Sequence, residues 1–141
     1  MITLAQAQQI IDGALAASAE MGLKPLCVTV LDSRGSLRAL VNQDGTSTHR
    51  HKIAHGKANG AVAIGMGSRA LMARAEQQAY FIDAVGRMLD GDFIPVPGGV
   101  LIRDAEGTLL GAVGISGDTS DNDEAAALAG IKAAGLVGET G

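Results

Sequence analysis

Apolar positions along the chain change period several times, and each change marks an element. Thr3 with Gln6 three places on is a capping-box pattern, and Leu4, Ala7, Ile10, Ile11, Ala14 and Leu15 then recur at helical spacing. The spacing predicts a first helix ending at Gly22. Lys24 and Pro25 break it, after which Leu26 to Leu31 and Ser36 to Val41 read as two strands of imperfect alternation. Their connection belongs to a phrase written twice: an apolar run, Asp-x-x-Gly and a second apolar run, at 28–41 (VTVLDSRGSLRALV) and at 100–113 (VLIRDAEGTLLGAV). In each copy the aspartate, Asp32 or Asp104, can accept turn amides, and the glycine, Gly35 or Gly107, can take a positive φ. Two β-hairpins are predicted.

Between the hairpins the pattern is helical. Residues 47–64 are rich in Ala, His and Lys with glycines at 56 and 60, which suits a helix packed closely against a neighbour. Ser68 is placed to cap a further helix over 69–89, with a break near Tyr80. The segment 91–99 (GDFIPVPGG) reads as a loop extended by proline and freed at its end by glycine. After the second hairpin, Ser120, Asp121, Asp123 and Glu124 crowd the start of an Ala/Leu/Ile-periodic helix over about 121–134. A fifth strand after it stays open. The order is helix, hairpin, two helices, hairpin, helix, which implies one α+β domain over 1–141, an antiparallel β-sheet flanked by helices with no internal linker.

Composition narrows the function. Only Tyr80, Phe81 and Phe93 are aromatic and the net charge is −4, so there are few rings to stack on bases and no basic footprint. Nucleic acid is a poor partner for such a surface. No apolar run approaches a membrane span, and the first residues lack the cationic region of a leader, so the chain reads as cytoplasmic. The single cysteine, Cys27, sits in a strand and behaves as a small hydrophobe.

The candidate chemistry lies on the central helix. His49, His51 and His55 give H-x-H-x3-H, in which 51 and 55 lie one turn apart on one face and can ligate a metal or offer a nitrogen to haem iron. A solvated face carrying Arg50 and Lys52 is the plainer reading. Lys57 stands among glycine and alanine, either reaching water or held toward an anion as a base of lowered pKa. Asp44-Gly45 is an ordinary turn or a carboxylate at the mouth of that helix, and Gly98-Gly99 is a strand entry or a pair of amides close to a ligand carboxylate. The run Gly65-x-Gly67 has no βαβ context, and Asp118 to Asp123 lacks the glycine and distal glutamate of a calcium loop. The glycines at 111, 114 and 117 suit close sheet or subunit packing.

Val30-Leu31-Asp32-x-x-Gly35-x-Leu37, Asp44-Gly45, Ala54-x-x-Lys57-Ala58, Gly98-Gly99-Val100 and the closing GAVGISGDTSDNDEAAALAGI together resemble the GlcG/HbpS-like haem-degrading domain family over nearly the whole chain. The pattern departs from the family at Leu101 and at Asn42-Gln43. The resemblance implies a profilin-like fold, assembly into homo-oligomers and, for some members, haem binding. It matches the family at Asp44, Lys57, Gly98 and Gly99. Two functions follow. The first is a haem- or tetrapyrrole-handling protein, with an axial nitrogen from His51 or His55 and propionates met by Lys57 or Arg50. The second is a cofactor-free isomerase or lyase for a small carboxylate, with Lys57 or a histidine as base, Asp44 orienting it, and the Gly98 and Gly99 amides stabilising developing charge. Both expect an enclosed hollow between Lys57 and Gly98.

Overall fold

The repeated phrase folds as two β-hairpins set side by side, in a computed structural model that describes all 141 residues. The elements are α1 (Leu4–Met21), β1 (Cys27–Asp32), β2 (Leu37–Asn42), α2 (Arg50–Ile64), α3 (Ser68–Gln77), α4 (Ala79–Met88), β3 (Gly99–Arg103), β4 (Leu109–Ser116), α5 (Ser120–Ala133) and β5 (Val137–Glu139). In both turns the aspartate works as expected. Asp32 Oδ1 accepts from the amides of Arg34 and Ser36 at 2.9 and 3.0 Å, and Asp104 Oδ1 from those of Glu106 and Thr108 at 3.0 and 2.8 Å. Gly35 and Gly107 both take φ of 84°.

The sheet is antiparallel, in the order β2-β1-β4-β3-β5. The two hairpins therefore meet along β1 and β4, and the short fifth strand covers the outer edge of β3. Every residue of β1 is buried because helices cover both sheet faces, which is why its sequence does not alternate cleanly. On one face Val28, Val30, Val100, Ile102, Val113 and Ile115 join Ile10, Ile11, Ala14, Ala126, Ala127 and Ile131 in the main core beneath α1 and α5. On the other, Leu31, Leu101 and Ala112 pack against Ala58 and Ala61 of α2. A third cluster of Leu71, Ile82, Val85 and Phe93 joins α3 and α4 to the loop after them.

Helix ends follow local chemistry. Thr3 and Gln6 form the capping box on α1, and Gly22 closes it at φ 67°. Three details differ from expectation. The helical stretch between the hairpins is three helices, broken at Gln78 rather than Tyr80. The N-cap of α3 is Gly67, so the Ser68 hydroxyl is free to turn inward, where it accepts from Gly99 N at 2.7 Å and donates to Gly99 O at 3.1 Å. And α2 starts at Arg50, which makes His49 its N-cap, with the two imidazole centroids of His49 and His51 6.4 Å apart.

Candidate functional site

Helix α2 sits on the sheet with almost no side-chain padding. Gly114 of β4 lies directly beneath Ala54, where a Cβ would strike the Ala54 carbonyl oxygen and come within 3.0 Å of Ala58 Cβ. On another flank, also buried, Gly56 and Gly60 do the same for the loop before β3: a Cβ on Gly56 would meet Ile94 Cγ1 at 2.7 Å, and one on Gly60 would meet the Phe93 ring at 2.5 Å. The loop can therefore lie on the helix backbone. Ile94 N donates to Gly56 O at 3.1 Å, and Asn59 Nδ2 donates to Asp92 O at 2.9 Å.

That docking delivers a carboxylate to a histidine. Asp92 Oδ2 stands 2.8 Å and Oδ1 3.0 Å from His55 Nδ1, with both side chains about a third exposed. The pair fixes the ring and leaves Nε2 as the nitrogen without a partner. His55 and Asp92 line a groove of about 560 Å³ between α2, the 90–94 loop and strand β2. Leu37, Leu40, Ile53 and Ile94 give it apolar walls, while His51, Lys52 and Asp90 complete its rim. A volume of this size suits a small organic ligand. No group of three His, Cys, Asp or Glu side chains is placed to hold a metal ion, so His51 and His55 are not part of a cage made by this chain alone.

The other expected site residues lie elsewhere. Lys57 neither reaches water nor faces a cavity: it is 2% exposed and its Nζ donates to Ile115 O at 2.9 Å and to Asp123 Oδ2 at 3.1 Å. Burial pulls the lysine pKa down and pushes that of Asp123 up, each opposed by the other's charge. The expected hollow between Lys57 and Gly98 is filled by the lysine itself, since a Cβ on Gly98 would meet Lys57 Nζ at 2.8 Å. Gly98 takes φ of 123°, and the Gly99 amide is bonded to Ser68 Oγ. Neither glycine lines a cavity. Small residues around Lys57 let the Pro-Gly-Gly turn and β4 close over it. Asp44 lines a shallow, separate hollow with Leu23, Pro25, Asn42 and Gln43. Arg50 turns away from the histidines: its Nε donates to Ser47 Oγ at 3.2 Å and its Nη1 to buried Ser116 Oγ at 3.1 Å. Of the expected set, the structure brings the two histidines together on one groove, and packs Lys57 against Gly98 and Gly99 with no cavity between them.

Asp92, Asp123 and Lys52 complete the arrangement although sequence reading did not select them. Asp123 was visible only as helix-start acidity, and Asp92 only as part of a loop. The glycines at 56 and 60, four apart, were the available sign that something would lie across α2.

The glycines of β4 and the one just after it are consumed inside the fold. Gly111 abuts the Leu31 carbonyl, Gly114 the Ala54 carbonyl and Gly117 the Pro25 carbonyl, so these glycines pack within the chain. No helix is long and apolar enough to cross a membrane.

A family model described as haem degrading protein HbpS-like matches residues 2–132. Among solved structures, the chain is similar to a PduOC–haem complex at 21% identity and TM-score 0.85, covering 96% of each chain. It is similar to the Klebsiella pneumoniae protein ORFY at 23% identity and TM-score 0.84, covering 95% of this chain and 90% of that one. The structure of HbpS matches at 25% identity and TM-score 0.80, over 93% and 88% of the two chains. No curated protein matches it.

Proposed function

Since the chain belongs to the HbpS-like haem-degrading protein family, we propose that it is a haem-handling protein whose macrocycle lies in the groove between α2 and β2. One observation carries this reading: the His55 ring is oriented by Asp92 through Nδ1, so that Nε2 is the free nitrogen on the wall of a groove it shares with Leu37, Leu40, Ile53 and Ile94. A carboxylate behind the ring fixes its direction, as it does for histidines that ligate metals. The groove fits the group by its donor set as well. It offers one held imidazole, a second on the same helix face in His51, aliphatic walls for a porphyrin edge, and the Lys52 ammonium for a propionate. When bound, haem would supply a redox-active iron. The residues of this chain would hold the macrocycle, shield one face from water and keep the imidazole directed. Self-association belongs to the same reading, with exposed Leu37 beside the groove and Tyr80 and Met88 on α4 as the apolar surface available for it.

No observation favours the carboxylate isomerase or lyase. Its proposed base packs directly against Gly98 and Gly99 with no cavity between them, its orienting acid Asp44 lies in a separate hollow, and Lys57 is committed to Asp123.

The test is a haemin titration followed in the Soret region. Binding should saturate at one haem per chain. His55→Ala should abolish or displace the band, and Asp92→Asn should weaken binding about tenfold or more, the usual effect of removing a group that orients a metal ligand. Uptake that never saturates, or that is indifferent to His55→Ala, overturns the assignment.

A further inference from the structure

A second polar site lies on the other side of the first turn of α2. The Arg50 guanidinium is held by two neutral acceptors, Ser47 Oγ and the wholly buried Ser116 Oγ, and it has no carboxylate within salt-bridge distance. A guanidinium positioned by hydroxyls keeps its full charge, and three of its five N–H bonds remain undirected. It faces a cleft of about 190 Å³ lined also by Lys24, Pro25, Thr46 and Ser47 and by the backbone at Gly45 and Gly117. Lys24 has no acid partner either. In a chain of net charge −4 with more acids than bases, two cations on one cleft, neither in a salt bridge, call for a reason. The acid bonded to this rim, Asp118, directs its oxygens to the amides of Lys24 and Thr119 and to Asn122 Nδ2. Finally, α2 begins here with no side-chain cap and no acid in its first turn, so its positive end adds to the same field.

We propose that this cleft binds a small oxyanion, either a phosphate group or the carboxylate of a small acid, with Arg50 as the forked donor and Lys24 as the second charge. The volume corresponds to about six waters at roughly 30 Å³ each, enough for a phosphate or a short carboxylic acid and too small for a macrocycle. The hydroxyls do two jobs. Ser116 and Ser47 hold the guanidinium plane, and Thr46, whose Oγ1 donates to Gln43 O at 3.1 Å, presents its lone pairs to a protonated oxyanion. Nothing in this assignment depends on haem, whose groove is lined by different residues.

The experiment is an amide chemical-shift titration of the whole chain with inorganic phosphate and, separately, with acetate, each at constant ionic strength balanced by chloride. Saturable shifts confined to Gly45, Thr46, Ser47, His51 and Gly117 are expected with at least one of the two anions, and the anion that gives them identifies which chemistry the site takes. Arg50→Gln and Lys24→Gln alter exposed or half-exposed side chains, so both should fold. Arg50→Gln should weaken the response about tenfold or more, the loss expected for a charge-assisted hydrogen bond, and Lys24→Gln should weaken it less. Either of two results overturns the proposal: no saturable shift with phosphate or acetate, or shifts that persist unchanged in Arg50→Gln.

Discussion

Removing one partner of the Lys57–Asp123 pair should be far more damaging than removing both. The two side chains are 2% and 1% exposed, 3.1 Å apart, and held on their far sides by Ile115 O and the Asp118 amide. Lys57→Met leaves a carboxylate, and Asp123→Asn an ammonium, buried without its partner, and each should cost about 3–5 kcal/mol. A chain of 141 residues has about 7–20 kcal/mol to lose, so either change removes a large part of its stability. The double variant Lys57→Met/Asp123→Leu buries neither charge. Its main losses are the donor to Ile115 O and the acceptor for the Asp118 amide, about 1 kcal/mol each, and it should fall within about 2 kcal/mol of the parent. Urea unfolding followed by far-ultraviolet circular dichroism measures all three variants. The pH dependence of Asp123→Asn gives a second reading. With the carboxylate gone, burial holds the lysine pKa below its ordinary 10.5, so the folded state binds fewer protons than the unfolded one. Stability of that variant should therefore rise as pH climbs toward 10.5. Additive behaviour, with the double variant costing the sum of the two singles, would refute the view that the pair is a mutually compensated buried contact.

Other outcomes are expected from the same geometry. Gly114→Ala puts a methyl into the Ala54 carbonyl and must lift α2 from the sheet, costing about 2 kcal/mol or more in the same unfolding assay. Because α2 carries both histidines, it should also weaken haem binding, whereas Gly107→Ala, which strains a turn remote from the groove, should destabilise without that effect. Asp118 is held at a pKa of about 2, below the ordinary 3.8, by its bonds to Asn122 and to the amides of Lys24 and Thr119. Its contribution is present above 3.8 and lost as pH falls toward 2, so an acid titration of parent against Asp118→Asn should show a steeper decline in the parent over that interval.

The hairpins and α1 were legible because local chemistry decides them. An aspartate two residues from the amide it bonds, a glycine at positive φ and a capping box all act within five residues. The groove was less legible because its parts come from four places: β2, α2, the 90–94 loop and the packing of Phe93 on Gly60. Spacing placed His51 and His55 on one face, but nothing local says that Asp92 will reach back 37 residues to one of them. Lys57 shows the opposite failure. Its small neighbours suggested access, and in the fold they allow enclosure, because the absence of side chains lets two backbones close over the amine. Ser68 was misassigned for a related reason: a glycine took the cap, and the hydroxyl was left to bond Gly99.

The direct seating of α2 on β4 has a bearing on how a ligand is received. A helix resting on bulky side chains can rock as those side chains change rotamer, but one resting on a carbonyl above a bare Cα has no such play. Its imidazoles are thus offered at a set height and bearing before anything arrives. An incoming guest would have little protein to rearrange, so affinity would not be diminished by an ordering penalty and release would be governed by the contacts themselves.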